Sequence, residues 1–386
     1  MAEGQDRLFS VSQGKFTLDR YPCLARETLR AWDAADEYLL YHLAELGMGG
    51  GSVLVVNDGF GALTVALAGA RSAQWVVQTQ SDSWISHSGT RANLEGNVVS
   101  TGGVSMLDNL QTPAPFDVLL FKVPKSLAQL EDQLYRLRPH LRADTVIVGA
   151  GMVKQIHTST LKLCERLIGP TRTSLARRKA RLIHCDLDAT LEPDAHPYPT
   201  RYTLEDTNLE LSNHAALFSR EQLDIGTRFL LEHLPRSPQA RCIVDLGCGN
   251  GVLGIAAGHH HREASLVFTD ESAMAIASTR ENVEAAFGGE RDVTFHWTDG
   301  LDGVEPGSAD LILCNPPFHQ QQIVGDAVSW RMFQQARKVL RPGGSLWVVG
   351  NRHLGYHTKL RRLFGNGEVI ASNPKFVILR ATKTAT

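Results

Sequence analysis

The six cysteines of this 386-residue sequence, at 23, 164, 185, 242, 248 and 314, form no recurring close pair. That scatter excludes a disulfide framework and a structural zinc cluster, so no metal is expected. It points to the reducing cytoplasm. No apolar run approaches the roughly twenty residues that cross a bilayer, so no membrane association is expected. The start, MAEGQDRLFS, lacks the basic and apolar regions of a signal peptide. An overall basic excess is also missing: Lys and Arg number 39 against 41 Asp and Glu, for a net charge of -2. Any nucleic-acid partner must then be met by local patches. Two exist. One runs through Lys162, Arg166, Arg172, Arg177, Arg178, Lys179 and Arg181, and the other from Arg352 through Lys359, Arg361 and Arg362 to Lys375. The length exceeds one typical domain and allows two good cores.

What is present is a diverged internal repeat. Val53 to Leu63 mirrors Ile243 to Leu253, with Asn57 in the place of Asp245, and Gly59 and Gly61 in the places of Gly247 and Gly249. Asp82 follows Asn57 by 25 residues, as Asp270 follows Asp245. Thr90-Arg91-Ala92-Asn93 mirrors Thr279-Arg280-Glu281-Asn282, and Leu119 to Pro124 mirrors Leu311 to Pro317. Each half alternates short apolar runs with helical patterns. In the second half the runs are 242–246, 266–269, 311–314 and 346–349. The helical patterns are 221–234, 251–259, 272–286, 328–340 and 356–364. Such alternation predicts a mostly parallel sheet covered by helices, with ligands beyond the carboxyl ends of the strands. Three prolines between Asp188 and Pro199 mark a linker. Tyr202 to Leu211 alternates around Asp206-Thr207-Asn208, which predicts a hairpin over the mouth of the second half.

Val244-Asp245-Leu246-Gly247-Cys248-Gly249-Asn250-Gly251 reads as a strand, a glycine-rich turn and a helix start. Glycine allows the tight turn and close approach to a ligand, while the helix start aims amides at it. Asp245 suits the ammonium of an amino-acid cofactor and would repel a pyrophosphate. Asp270, at the next strand end, can accept from two ribose hydroxyls or can serve the helix starting near Ser272 as a cap. Asp299 is a candidate for an adenine amino group or an exposed turn residue. At a fourth strand end stands Asn315-Pro316-Pro317-Phe318. The Asn315 side-chain oxygen and the Pro316 carbonyl can accept from an exocyclic amine. Two prolines stiffen the turn and remove competing donors, and Phe318 can stack on a base. Proximity alone does not make His319 a base. This motif does not choose among adenine N6, guanine N2 and a glutamine amide.

These residues together resemble the class I S-adenosylmethionine-dependent methyltransferases. The resemblance implies S-adenosyl-L-methionine as cofactor, with Asp245, Gly247, Gly249, Asn250 and Gly251 around its methionine part and Asp270 on ribose. Asp224-Ile225-Gly226-Thr227 is similar to the family's preceding loop, which puts Asp224, Gly226 and Thr227, with Asn315, beside the cofactor. By itself that stretch is also a helix cap. Asn315 to Gln321, Asn351-Arg352-His353-Leu354 and the tandem arrangement are similar to the bacterial ribosomal RNA guanine-N2 methyltransferases. Ala31 to Leu40, Lys122-Val123-Pro124-Lys125 and His157 to Leu161 favour their large-subunit (23S) members. The expectation is an α/β protein with two tandem Rossmann-like class I methyltransferase domains, the first a degenerate copy. Residues 1–187 would hold RNA and support the fold, 188–200 link, and 201–386 catalyse, with Asn315, Pro316 and Phe318 at the acceptor. The first copy lacks the site: Lys122 replaces the amide, would repel a sulfonium and cannot accept from an amine. The implied partner is 23S ribosomal RNA, protein-free or partly assembled, with no obligate protein partner. Alternatives are 16S ribosomal RNA, a protein glutamine, DNA adenine, or a non-catalytic RNA-binding assembly protein. A dehydrogenase lacks an obvious catalytic partner for hydride transfer.

Overall fold

The computed structural model describes residues 7–23, 27–71, 74–204, 209–236, 240–289, 291–317 and 322–384. The chain divides into two compact units, Met1–Pro197 and Tyr198–Thr386. Among the described residues, each unit is built on a seven-stranded sheet. In the first the strands are Gly50–Val56, Gln74–Gln80, Val104–Leu107, Val118–Lys122, Val146–Met152, Thr171–Thr173 and Ala180–Cys185. In the second they are Cys242–Leu246, Ser265–Asp270, Val293–Trp297, Ala309–Cys314, Leu340–Asn351, Glu368–Ser372 and Phe376–Thr382. Counted in chain order within each sheet, both have the spatial order 3-2-1-4-5-7-6. Six strands run in one direction, and the seventh, inserted between the fifth and the sixth, is antiparallel to both neighbours.

Parallel strands covered on both faces need apolar residues on both faces. Leu311 to Cys314 supplies such a run: Leu311 and Leu313 join one buried cluster, Ile312 and Cys314 the opposite one. Each fully buried branched side chain contributes about 1.5–3 kcal/mol. Asp245 interrupts this rule, a carboxylate 1% exposed in the central strand. The order reverses at the first strand of each sheet, between the second and fourth. This opens a crevice beyond the carboxyl ends of strands one and four. Asp245 and Asn315 lie at its two sides.

The helices have local causes. Ser272 caps Ala273–Phe287 by accepting from Ala275 N at 3.1 Å, and left-handed Gly288 ends it. Asp224 caps Ile225–Leu231 by accepting from Thr227 N at 2.9 Å, so the helix starts later than the periodicity from 221 implies. The expected hairpin is present as Thr200–Thr203 paired with Glu210–Asn213. Its turn, Asp206-Thr207-Asn208, lies outside the described residues.

The fold confirms the repeat and corrects its register. Helices Ala62–Ala68 and Val252–His260 both begin at a left-handed glycine, Gly61 at φ 84° and Gly251 at φ 81°. A Cβ on either would lie 2.8 Å from Thr90 or 2.7 Å from Thr279. Gly61 is therefore the counterpart of Gly251, Gly59 of Gly249, Asn57 of Gly247 and Val55 of Asp245. Asn57 even shares the left-handed backbone, φ 63° against 70° for Gly247. Their N–H groups donate alike, to Gln80 O and Thr269 O at 2.9 Å. Likewise Ser81, not Asp82, is the counterpart of Asp270. Ser83 N donates to Ser81 Oγ at 3.2 Å just as Ser272 N donates to Asp270 Oδ1 at 3.0 Å. The sequence pairing slipped because alternate glycines look the same after a shift of two, and such a shift keeps every strand residue on its face.

Candidate active site

Asp245 projects from the central strand beneath the glycine turn. Its Oδ2 accepts from Gly254 N, in the first turn of the next helix, at 2.8 Å. Its Oδ1 is buried with no partner among the described residues. Burial pushes its carboxyl up to about 8, and nearby Asp270 adds to this. Asp270 accepts from Gly249 N at 3.0 Å and from Ser272 N at 3.0 Å, joining turn to strand end. Burial raises its pKa against those donors. Ser272, rather than Asp270, is the helix cap. Gly247, Gly249 and Gly251 are all left-handed, at φ 70°, 57° and 81°.

Asn250 is held differently from its neighbours. Its amide donates to Tyr202 Oη at 3.1 Å and to Asn213 Oδ1 at 2.9 Å, fastening the turn to the hairpin. Asn282 reinforces this by donating to Ser212 O and Asn250 O. Asp299 is buried rather than exposed, and Arg331 donates to it at 2.7 Å. Burial raises its carboxyl while Arg331 opposes the rise.

Asn315 stands just past the fourth strand. Its amide nitrogen donates to Asp224 Oδ2 at 3.1 Å and Thr227 Oγ1 at 2.8 Å. These contacts fix which way the amide points. Its Oδ1 is left buried with no partner among the described residues. Asp224 and Thr227 therefore do two jobs, starting a helix and aiming an acceptor. Gly226 between them leaves room for the Asp224 carboxylate, since a Cβ there would crowd Asp224 Oδ2 at 3.0 Å. Pro316 is buried beside Asn315. Phe318 and His319 lie outside the described residues.

The first unit builds the same trio from other residues, a correspondence that the sequence reading missed. Asp33 caps helix Ala34–Glu45, and Asp36 follows three positions later, as Thr227 follows Asp224. Both accept from Lys122, at 2.9 and 2.6 Å, and Lys122, the last residue of the first unit's fourth strand, occupies the position that Asn315 takes just past the second unit's. Burial raises Asp36 to about 6 despite Lys122, while the two carboxylates hold the Lys122 ammonium above its usual value against burial. Asp58 serves the helix start that Asp245 serves in the second unit. It accepts from Leu63 N, Thr64 N and Thr64 Oγ1 at 3.3, 2.7 and 2.7 Å, which engages both oxygens. The repeated aspartate-x-x-polar spacing at 33–36 and 224–227 was the available signal.

Residues 6–189 match the RLMG N-terminal domain and residues 208–380 the methyltransferase small domain. Ribosomal RNA large subunit methyltransferase G of Streptomyces avermitilis is 53% identical over 96% of this chain and 97% of its own. The protein of the same name from Ectopseudomonas mendocina is 50% identical over 97% of this chain and 100% of its own. The chain belongs to the ribosomal RNA large subunit methyltransferase G family. Among solved structures, the T. thermophilus 16S rRNA N2 methyltransferase RsmC, in complex with AdoMet and guanosine, has the same fold. Its TM-score is 0.76, with 20% identity and 99% of each chain covered. The tandem Rossmann-like class I methyltransferase architecture is thus common to this member of the family and to RsmC.

The donor set of the second unit fits the cofactor of such enzymes. An unpartnered carboxylate oxygen suits an ammonium, and a carboxylate at the second strand end suits a diol. An aimed amide oxygen beyond the fourth strand suits an amine. Among the described residues no helix is long and apolar enough to cross a membrane, and no cluster suited to a metal occurs.

Proposed function

We propose that this chain transfers a methyl group from S-adenosyl-L-methionine to the exocyclic N2 of one guanine in 23S ribosomal RNA. The products are N2-methylguanosine and S-adenosyl-L-homocysteine, formed in the cytoplasm. The observation that carries the reading is the aimed, unpartnered Oδ1 of Asn315, set against a lysine at the same place in the first unit. The names and identity of the relatives support the large-subunit RNA over the 16S alternative.

In this reading residues 201–386 catalyse, 188–200 link, and 1–187 hold RNA. Asp245, Gly247, Gly249, Asn250 and Gly251 surround the methionine part, Asp270 holds the ribose and Asp299 receives the adenine amine. Asp224, Gly226 and Thr227 shape the wall beside Asn315. Bound there, S-adenosyl-L-methionine supplies an electrophilic methyl on a positively charged sulfur. Asn315 Oδ1 and the Pro316 carbonyl accept from the guanine NH2, and Phe318 stacks on the extruded base. Those acceptors place N2 for in-line attack and stabilise the positive charge that grows on it. A proton then passes to solvent. Protein-free or partly assembled RNA is the substrate in this reading, and no obligate protein partner is needed.

The test incubates the enzyme with labelled S-adenosyl-L-methionine and unmodified 23S RNA, followed by digestion and nucleoside identification. N2-methylguanosine in the wild type, with a loss of at least 100-fold in Asn315→Ala, is the expected result (about 3 kcal/mol of lost transition-state stabilisation). Transfer to 16S RNA or to protein instead would reject the substrate.

A further inference from the structure

The orphaned oxygen of Asn315 has a counterpart on the next strand. Asn351 ends Leu340–Asn351, which pairs in parallel with Ala309–Cys314, Cys314 lying opposite Val348. The Oδ1 of Asn351 is also buried without a partner among the described residues. Side chains alternate across a strand. Leu311, Leu313, Trp347 and Val349 share one buried cluster, so Asn351, two residues beyond Val349, projects to that face. Asn315 is drawn to the same face by Asp224 and Thr227, on the helix whose Leu230 belongs to that cluster.

A chain of contacts joins the two residues. Asp224 holds the Asn315 amide at 3.1 Å. A Cβ on Gly226 would lie 3.0 Å from Asp224 Oδ2 and 3.3 Å from the Phe376 ring. Phe376 is paired with Asn351 across the antiparallel ladder. Two amide oxygens without partners thus stand at the ends of adjacent strands, on one face, around one helix start. With Cys314 opposite Val348, Asn351 stands one strand across from Asn315, about 4.8 Å, and two residues further along, about 6.6 Å, so the two side chains must lean toward each other to meet one base edge.

Two neighbouring acceptors ask for two neighbouring donors. Guanine offers them on one edge, N2–H and N1–H. Adenine presents its amine beside a bare N1 acceptor, which would face the Asn351 oxygen unfavourably. We infer that Asn351 is a specificity-determining residue that accepts from guanine N1–H while Asn315 accepts from N2–H. The inference rests on the proposed guanine-N2 reading and adds the element that separates guanine from other aminopurines.

The experiment first maps the methylated guanine in 23S RNA. A ligated RNA is then made with guanine or 2-aminopurine at that position. 2-Aminopurine keeps the N2 amine but has no N1–H. One buried hydrogen bond discriminates by about 10- to 100-fold. The wild type should therefore favour guanine in kcat/KM by about that factor. Asn351→Ala should bring the ratio to within about threefold of unity by losing guanine turnover, and Asn351→Asp, which keeps an acceptor, should restore the preference. A strand-end asparagine with only a structural role would lower both substrates together. An unchanged ratio in Asn351→Ala, or no preference in the wild type, overturns the inference while guanine-N2 transfer stands. Absence of any transfer to guanine by the wild type overturns both.

Discussion

Replacing Asp245 with asparagine should abolish cofactor binding yet strengthen the ligand-free fold near neutral pH. Folding moves this carboxyl from 3.8 to about 8 by burial. The folded value lies above the unfolded one, so folding favours the protonated form. The stability linked to this group is full below about pH 4 and is lost as pH rises through about 8. At ~1.36 kcal/mol per unit, the penalty reaches a ceiling of under about 2 kcal/mol at pH 5 and about 4 kcal/mol at pH 7. Asparagine keeps an acceptor for Gly254 N and leaves an unpaired NH2, costing about 1–3 kcal/mol at any pH. The variant should therefore match or trail the wild type at pH 5 and exceed it by about 1–3 kcal/mol at pH 7. Urea unfolding without cofactor at pH 5, 6, 7 and 8 measures the gap, and calorimetry with S-adenosyl-L-homocysteine measures binding. A gap that stays constant with pH, or retained binding, would refute this account of Asp245.

Lys122→Met should cost the fold about 3–5 kcal/mol at pH 8, because Asp33 and Asp36 lose their shared cation. Since Asp36 already titrates near 6 when folded, above its unfolded value, the deficit should shrink at pH 5, as urea melts at both pH values would show. Methyl transfer per folded molecule should persist, and its loss would contradict a non-catalytic first unit. The turn Arg177-Arg178-Lys179 is exposed, with Arg177 stacked 3.9 Å over the Tyr41 ring beside a cleft of about 350 Å³. Neutralising these three residues should flatten the log–log salt dependence of RNA binding by about 2 while cofactor affinity holds. An unchanged slope in a filter-binding titration would remove this turn from the RNA surface.

The apolar runs and helical patterns located most strands and helices of the second half from local periodicity and caps, but Leu340–Asn351 and Gln322–Val339 each begin six residues before the expected ranges, Ile225–Leu231 is shorter than 221–234, and Val293–Trp297 was not among the expected runs. Cys242–Leu246 and Tyr356–Phe364 match their expected ranges, and Ala273–Phe287 shifts by one residue at each end. What failed was nonlocal. The two-residue slip at Asn57 was invisible without backbone angles. The ion pair that buries Asp299 joins residues 32 apart. The hydrogen bonds that aim Asn315 span 88 and 91 residues and change residue type between copies. The closing hairpin Glu368–Ser372 and Phe376–Thr382 escaped because its strands were not singled out from the pattern.

The two units share topology, glycine start and an asparagine clamp, Asn93 in one and Asn282 in the other. They differ in what is left unsatisfied at the sheet's carboxyl end. In the first unit the helix start is served by an Asp58 whose oxygens are both engaged, and the fourth strand ends in a neutralised lysine. In the second, Asp245, Asn315 and Asn351 each keep a buried oxygen without a partner among the described residues. An unmet buried acceptor costs about 1–3 kcal/mol, a burden the first unit avoids at Asp58 and Lys122. Retaining such a cost at three converging positions is consistent with a ligand that repays it when bound. At the helix start and the fourth strand the two copies diverged less by losing a scaffold than by satisfying, in the first unit, polar atoms that stay open in the second, although Asn109, just past the first unit's third strand, also keeps both amide atoms buried without a partner among the described residues.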